Sequence, residues 1–260
     1  MAESLVELSV ENQVATVFLQ RLEKRNAVNL DMLREIERAC DQIDSTMEIR
    51  VAILTGRERS FSAGGDIRAW AAMDPGAFGH LWVRHGHRIF DRLATLRVPL
   101  IAAINGHALG GGLELAAAAD FRIADASIEV GMPEAGLGMV PGWSGTQRLV
   151  RRFGVQPVRR MVLGGEVFDA ESARVLGLID QVVPDGTVLK AATVAAMRMA
   201  ERAPRATELI KLMLSVGADE DRGAAVEALA SIAAAGTPDL AEGVAAFREK
   251  RAAKFKGDWT

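Results

Sequence analysis

The apolar and polar positions at the start of the chain alternate, and they predict two short strands. Residues 5–10 and 13–19 carry many β-branched side chains, and Glu11 and Asn12 lie between the two runs. Alternation interrupted by a short polar connection is typical of a β-hairpin. After Asn29 the period lengthens to that of an amphipathic, N-capped helix, whose apolar positions are Leu30, Leu33, Ile36, Cys40 and Ile43.

Further along the chain, short apolar runs precede loops that contain glycine. The runs at 51–55 and 100–104 are each followed by such a loop and then by a helical pattern, and another extended piece lies at 121–124. Repeated succession of strand, loop and helix is typical of layered α/β structure. We therefore predict an α/β fold built from ββα units and not a sandwich of hairpins.

The C-terminal part differs, because apart from a strand signal at 179–183 it is rich in alanine and helical in pattern. The helices are expected at about 187–203, 205–215, 221–235 and 239–253. Asp239 and Glu242 have the spacing of a capping box at the start of the last helix. We predict an α/β core over residues 1–195 and a helical region over residues 196–260.

Composition narrows the class of protein. Of the 260 residues, 49% are hydrophobic and 25% are charged, and the net charge of −3 argues against a general nucleic-acid binder. Cys40 is the only cysteine, so an intrachain disulfide is excluded and a buried apolar role is expected. The acidic N-terminus lacks the apolar stretch of a secretory signal, and the aliphatic run at 98–104 is too short to span a membrane. These features predict a cytoplasmic protein without a membrane partner.

Three glycine-rich segments, at 61–67, 105–115 and 131–148, carry the candidate chemistry. Adjacent glycines in the first segment allow a tight turn close to a ligand, although an ordinary strand-to-helix turn has the same pattern. In the second segment, the glycines at 110–112 precede a helix, and unpaired amides at a helix start favour an anion. This segment lacks the lysine and hydroxyl residue of a phosphate-binding P-loop, so a nucleotide site is not indicated.

Two glutamates lie within these segments. Glu114 falls in the first turn of the predicted helix, where it is either a solvated residue or a buried acid held for catalysis. Glu134 is the only charged residue between positions 131 and 141, and it could instead cap a nearby amide. The four histidines lack the spacing of a metal pair, so no metal site is expected. Ser62 and Ser144 have no Ser-His-Asp context in the sequence, so a triad hydrolase is not expected.

Four segments in this order resemble the signature of the enoyl-CoA hydratase/isomerase (crotonase) family: 61–67, 106–115, 132–138 and 141–149. The resemblance extends over nearly the whole chain, since residues 23–27 and 242–251 also match. It implies a spiral of ββα units followed by a helical trimerisation region. It also implies an acyl-CoA thioester as substrate and no separate cofactor, because coenzyme A is part of that substrate.

The resemblance further assigns roles to individual residues. The backbone N–H groups of Ala63 and Gly111 would form an oxyanion hole for the thioester carbonyl. Glu114 would deprotonate the water that attacks C3, and Glu134 would supply the proton to C2. The amide of Gly142 would help to hold the water. These roles imply an enoyl-CoA hydratase, because an isomerase of this family needs only one of the two carboxylates.

The same comparison suggests where coenzyme A is held. Arg25, Ala27, Asp66 and Ile67 match segments that contact pantetheine and adenine. In the last helix, Phe247 and Lys250 match residues that reach the coenzyme A of a neighbouring subunit; a solvated basic helix end is the alternative. Members of the family are trimers, often paired into hexamers. Alanine-rich faces would allow such helices to pack closely, for example at Ala224, Ala225, Ala228 and Ala235.

Two residues depart from the pattern of the family's hydratases. Trp143 and Leu113 stand where smaller side chains are common, which leaves the length and shape of the acyl group open. Trp70, Met73 and Trp82 could line an acyl tunnel or could be core residues. Other enzymes on the same scaffold are the main alternatives: an isomerase, a decarboxylase, a hydrolase or a hydratase–aldolase. A scaffold that binds a CoA thioester or RNA without catalysis is the non-enzymatic alternative.

Overall fold

A computed structural model describes residues 4–218, 220 and 222–257 of the chain. The described residues form two compact units, one ending at Thr207 and the other beginning at Glu208. The first unit contains the strands and the glycine-rich segments, and the second unit is helical. The sequence-based division after residue 195, into a CoA-thioester core and an assembly region, stays a prediction.

The strands of the first unit form two sheets. In chain order they are β1 (Val6–Glu11), β2 (Val14–Leu19), β3 (Val51–Gly56), β4 (Leu100–Ile104), β5 (Ala108–Leu109), β6 (Phe121–Asp125), β7 (Glu129–Gly131), β8 (Val167–Asp169) and β9 (Gln181–Val183). The larger sheet has the order β1-β2-β3-β4-β6-β9, and it is parallel except for the β1–β2 pair. The smaller sheet has the order β5-β7-β8. The structure is therefore mixed α/β, as predicted.

Helices connect these strands. They are α1 (Leu30–Ser45), α2 (Ile67–Trp70), α3 (Pro75–Ala77), α4 (Arg84–Ala94), α5 (Gly111–Ala116), α6 (Gln147–Phe153), α7 (Val155–Val162), α8 (Ala170–Val175) and α9 (Val188–Ala200). A π-helix, Phe78–Val83, leads directly into α4, and 3-10 turns lie at Leu22–Lys24 and Glu134–Leu137. π-helical turns are rare and occur often at functional sites.

The local predictions at the start of the chain are confirmed. β1 and β2 pair in antiparallel register, and Asn12 and Gln13 in the connection have positive φ angles, as a tight hairpin turn requires. α1 is capped by Asn29, whose side-chain oxygen accepts a hydrogen bond of 2.8 Å from the amide of Met32. Cys40 lies buried on the inner face of α1.

Both faces of the large sheet are covered, which explains why its central strands are apolar throughout. Along β3, Ala52 and Leu54 point into one cluster of core residues, while Val51 and Ile53 point into a second. α1 and α4 contribute to the first cluster, and α9 contributes Val188 and a row of alanines to the second. A parallel sheet buried on both sides reads as a continuous apolar run because alternate side chains enter different layers. Because packed side chains cover both faces of the sheet, we expect a ligand site at its edge.

The second unit has helices where the sequence predicts them, but its predicted capping box is wrong. The helices are α10 (Pro204–Gly217), α11 (Arg222–Ala235) and α12 (Pro238–Glu249). Asp239 does not cap α12, because its carboxylate accepts hydrogen bonds of 2.8 and 2.9 Å from the amides of Lys256 and Gly257. Glu242 similarly accepts from the amide of Lys254. Both acids hold the segment that follows the helix.

Candidate active site

The glycine-rich loops after β3 and β4 lie side by side. These strands are parallel neighbours, so their carboxyl ends meet at one edge of the sheet. A bridge between Ser62 and Ala108 joins the loops. Gly64 has a φ of +91°, and a Cβ there would lie 2.7 Å from the carbonyl oxygen of Leu109. A side chain at position 64 would therefore force the loops apart.

Among the backbone N–H groups of these loops, those of Gly65 and Gly111 have no acceptor within the described part of the chain. The amide of Val28 donates to the carbonyl of Gly64, and the amide of Asp66 donates to the carbonyl of Val28. Val28 is thus bonded to the carbonyl before Gly65 and to the amide after it. In this pattern the N–H of Gly65 itself faces away from Val28. A Cβ on Gly111 would lie 3.3 Å from the nitrogen of Gly65, so the two amides are close.

The backbone does not leave Ala63 free for the oxyanion-hole role that the resemblance gives it. The amide of Ala63 donates a hydrogen bond of 3.0 Å to the carbonyl oxygen of Arg25. Ala63 lines the same cavity as Gly65 and Gly111, but its N–H is already used. The amides of Ala63 and Asp66 both donate to carbonyls of residues 25–28, and the amide of Gly64 donates to the hydroxyl oxygen of Ser62, which leaves the N–H of Gly65. The geometry therefore favours Gly65, in place of Ala63, as the partner of Gly111.

Glu114 is a buried acid and not a solvated first-turn residue, since it is 2% exposed. It lies in α5, and its Oε1 accepts hydrogen bonds of 2.8 Å from the amide of Trp143 and 2.6 Å from the amide of Gly145. Burial raises the pKa of Glu114 to about 7, with a further contribution from the charge of Glu134, although the two amide bonds act in the opposite direction. A carboxyl with such a pKa can exchange a proton near neutral pH.

Glu134 begins the 3-10 turn Glu134–Leu137 and faces the triple-glycine loop. A Cβ on Gly110 would lie 2.7 Å from its Oε1. Its Oε2 is buried, and no hydrogen-bond partner for this atom is found among the described residues. Burial raises the pKa of Glu134 above its ordinary value, which favours the protonated form. Because the two glutamates line one cavity and are coupled electrostatically, they can hold a proton unequally.

The cavity that contains these groups has a volume of about 170 Å³. Gly65, Gly111 and Gly142 line it together with both glutamates. Its remaining walls are mainly apolar and include Ile67, Trp70, Phe78, Trp82, Val83, Leu137, Met139, Val140, Pro141 and Trp143. The structure thus brings both predicted acids, Gly111 and Gly142 to one place.

The structure shows which of the bulky residues singled out in the sequence line the cavity and which are core residues. Trp70 and Trp82 line the cavity, whereas Met73 is packed against the core and Leu113 is buried within it. Trp143 is buried and points inward to the cavity wall. Phe78 and Val83, which frame the π-helix, also face the cavity and were not singled out in the sequence.

A network behind the loop of Trp143 was missed in the sequence. Ser144 has a φ of +81°, and the amides on either side of it both bond to Glu114. Its hydroxyl lies 3.4 Å from Nδ1 and 3.3 Å from Nε2 of His87, and His87 in turn lies 3.3 Å from Asp91. The nearly equal distances aim neither nitrogen at the hydroxyl, so this is not the geometry of a nucleophile and its base. Arg148 pairs with Asp91 and ties α6 to α4.

Replacing Gly145 by alanine should disable the site without removing an ionisable group. A Cβ at this position would lie 2.6 Å from Oε1 of Glu114 and 2.6 Å from Cβ of Pro141, so the carboxylate must move. We expect kcat/KM for the reaction proposed below to fall about 100-fold, the scale of a small displacement of a reacting group. The control is Gly136→Ala, where an added Cβ meets open space. Equal activity of the two variants would contradict the proposed position of Glu114.

The residues proposed to hold coenzyme A fall into two sets. In the first unit, Arg25 is exposed, Ala27 is half-buried, and Ile67 is exposed at the cavity. Asp66 is buried in an ion pair of 2.7 Å with Arg21. Burial would raise the pKa of Asp66, but the hydrogen bond and the charge of Arg21 hold it below its ordinary value. Asp66 is therefore a residue that shapes the loop, since its carboxylate already has a partner.

The second set lies in the helical unit. Phe247 is in α12 and is largely exposed, and Lys250 ends that helix in a left-handed conformation. Their contact with a neighbouring subunit's coenzyme A stays a prediction. Among the described residues, no cluster of three or more potential ligands could hold a metal ion. Within the same residues, no helix combines the length and apolar character needed to cross a bilayer.

The family model described as enoyl-CoA hydratase/isomerase matches residues 9–258. The crotonyl-CoA hydratase of Syntrophomonas wolfei is 36% identical, over 98% of this chain and 99% of its own length. The short-chain-enoyl-CoA hydratase of Clostridium acetobutylicum is 37% identical, over 94% of each chain. The crystal structure of an enoyl-CoA hydratase from Bacillus anthracis has a TM-score of 0.81 at 34% identity and covers 98% of this chain and all of its own. The fold, with its ββα spiral and C-terminal helices, and this similarity show that the chain is an enzyme of the enoyl-CoA hydratase/isomerase family.

Proposed function

We propose that this enzyme catalyses the reversible addition of water to the C2–C3 double bond of a 2-enoyl-CoA thioester. The observation that carries the proposal is the pair of carboxyls, buried Glu114 and half-buried Glu134, which line one cavity with the amides of Gly65 and Gly111, for which the described residues supply no acceptor. Hydration requires removal of a proton from water and delivery of a proton to carbon. Two carboxyls with raised pKa values supply both functions. Relatives named as hydratases support the same reaction.

The thioester oxygen is proposed to lie between the amides of Gly65 and Gly111. When water attacks C3, electrons move from the double bond through C2 to this oxygen, and an enolate develops. Fixed N–H donors stabilise that charge without having to reorient, and each is worth about 3 kcal/mol of barrier. Glycine at position 111 leaves room for Trp143, because a Cβ there would meet the ring of Trp143 at 2.8 Å.

The two acids then take different parts in the reaction. Glu114 is held in a fixed orientation by two amides, which suits the base that removes the water proton as the C3–O bond forms. Glu134 has a buried oxygen for which the described residues supply no hydrogen-bond partner, and this suits a protonated acid that delivers a proton to C2 as the enolate collapses. In sum, the hydroxyl of one water is added to C3 and a proton is added to C2. Glu114 has gained a proton, and Glu134 has lost one. Gly142 is proposed to help hold the water.

The chemistry needs no further group from outside the chain. Addition of water changes no net oxidation state, and the carboxyls handle both protons, so we propose that no cofactor is used and that coenzyme A enters as part of the substrate. An isomerase moves one proton between two carbons, and a single carboxyl is sufficient for that. The retained pair therefore favours hydration over isomerisation. A scaffold that only binds RNA or a CoA thioester would not need two acids with raised pKa values at one cavity.

The proposal predicts hydration of crotonyl-CoA by the purified protein. The absorbance of the conjugated enoyl thioester should fall as 3-hydroxybutyryl-CoA forms, and equilibrium should be reached from either side. Incubation with a 3-enoyl-CoA tests the isomerase alternative, because isomerisation would raise that absorbance. Binding of crotonyl-CoA without turnover would refute hydration and favour another reaction on the same scaffold.

Assembly into a trimer or hexamer is proposed separately, from the resemblance and the alanine-rich helices. Sedimentation velocity over a range of protein concentrations tests it. A single species with the mass of one chain at all concentrations would contradict the proposed assembly and leave the proposed reaction intact.

A further inference from the structure

Three indole rings surround the proposed oxyanion donors. A Cβ on Gly65 would lie 3.1 Å from Trp82, 3.5 Å from Trp143 and 3.6 Å from Trp70. A Cβ on Gly111 would lie 2.8 Å from the ring of Trp143. The six-membered ring of Trp143 therefore borders both glycines that present the free amides. An acyl group whose carbonyl reaches those amides therefore lies close to this ring.

Trp143 is held so that it cannot easily withdraw. Its indole N–H donates a hydrogen bond of 3.3 Å to the carbonyl oxygen of Trp82. Its ring centroid lies 5.2 Å from that of Trp82 and 5.0 Å from that of Phe90. Its backbone amide is bound to Glu114, so main chain and side chain are both fixed. Tilted aromatic contacts at these distances add to the stability of such a cluster.

Gly86 of α4 provides the space into which the indole fits. A Cβ on Gly86 would overlap with Nε1, Cε2 and Cδ1 of Trp143. The position of the ring thus depends on a residue on another element that has no side chain. Trp143 therefore fills the space between Gly86 of α4 and the two glycines that present the free amides.

The cavity of about 170 Å³ compares with a cavity of about 150 Å³ that accommodates one benzene molecule in another protein. We propose that Trp143, seated on Gly86, closes the acyl end of the site and restricts the enzyme to 2-enoyl groups of about six carbons or fewer. This inference rests on the proposed function for the reaction, but it concerns the shape of the site alone. Trp143 is then the residue that determines specificity for chain length.

The test compares kcat/KM for crotonyl-, 2-hexenoyl- and 2-decenoyl-CoA. For the natural chain, the value for decenoyl-CoA should lie at least about tenfold below that for crotonyl-CoA, the scale by which apolar pockets discriminate by size. Trp143→Ala should raise the ratio of decenoyl to crotonyl activity by about tenfold or more, and Trp143→Phe should raise it less. The ratio cancels a general loss of activity from imperfect folding. An unchanged ratio, or a natural chain that prefers decenoyl-CoA, would overturn the inference.

The variant Gly86→Ala tests the contact between Gly86 and the indole of Trp143 by changing Gly86. The added methyl group should push the indole into the cavity and reduce activity on hexenoyl-CoA more than on crotonyl-CoA. In the double variant Gly86→Ala/Trp143→Ala, the profile should return to that of Trp143→Ala, because Gly86 acts through the indole. A double variant that keeps the Gly86→Ala profile would refute this coupling.

Binding separates this inference from the proposed reaction. Dissociation constants of butyryl-CoA and decanoyl-CoA, measured by calorimetry, do not depend on turnover. If no enoyl-CoA is hydrated, the proposed function fails, yet weaker binding of decanoyl-CoA that Trp143→Ala relieves would still support the closed acyl end. If crotonyl-CoA is hydrated and decanoyl-CoA binds at least as tightly as butyryl-CoA, the function stands and this inference fails.

Discussion

Glu114→Gln should lower kcat for crotonyl-CoA hydration by about 10²- to 10⁴-fold, the usual contribution of a general base. The glutamine oxygen can still accept the hydrogen bonds from the amides of Trp143 and Gly145, so the loop should keep its place. The base is lost while the shape of the cavity is retained, and KM should therefore change little. Initial rates from the fall in enoyl-thioester absorbance measure both constants.

Glu134→Gln should lower kcat for crotonyl-CoA hydration by a similar factor, but for a different reason. The variant cannot deliver a proton to C2, so exchange of the C2 hydrogens of 3-hydroxybutyryl-CoA with deuterated water should fall with hydration. If the two acids act in one step, the double variant should be scarcely slower than either single variant. Glu129→Gln, at an exposed carboxylate of β7, is the matched control. Near-normal hydration by Glu114→Gln or Glu134→Gln would remove the basis of the two-acid mechanism.

The sequence predicted the framework well because short-range patterns determine it. The hairpin, the Asn29 cap and the buried central strands follow from side-chain period and capping chemistry within a few residues. The helices of the second unit were also expected from local pattern. Its capping box was not correct, because Asp239 and Glu242 bond to amides at 254–257, which come after the helix. Spacing alone cannot show that a distant segment competes for the same carboxylates.

The site was predictable in its acids but not in its fine geometry. The resemblance of their segments to the family signature identified Glu114 and Glu134, and the structure places both at one cavity. Which amide is free depends on the bridge between Val28 and Gly65, and residues so far apart in sequence leave no local signal. The direction of Trp143 depends similarly on Gly86, which makes room for the indole.

The contact between His87 and Ser144 was also not predictable, because it joins residues that are far apart in the sequence. The hydroxyl of Ser144 contacts His87, and His87 lies on α4. Only the packing of α4 against the loop brings them together, with Asp91 one helical turn beyond His87. The signal that could have drawn attention to this helix face is the four-residue spacing of His87 and Asp91. From the geometry, the contact between His87 and Ser144 supports the loop that binds Glu114.

The free energy of unfolding should depend on pH through Glu114. Its pKa is about 7 in the folded protein against 4.5 for the unperturbed side chain, because burial disfavours the charged form. The folded state thus binds the proton more tightly than the unfolded state. The resulting stability is fully present below pH 4.5 and is lost as pH rises through about 7.

Glu114→Gln removes this titration and should make the protein relatively more stable at alkaline pH. Between pH 5 and pH 8, the stability of the variant relative to the natural chain should increase by roughly 2–3 kcal/mol, at 1.36 kcal/mol per pKa unit. Urea unfolding at several pH values measures this difference, and Glu129→Gln serves again as the control. A difference that stays constant over this range would show that Glu114 has an ordinary pKa in the folded state. Together, a gain in alkaline stability and a large fall in kcat for Glu114→Gln would show that this buried acid is retained for its chemistry and not for stability.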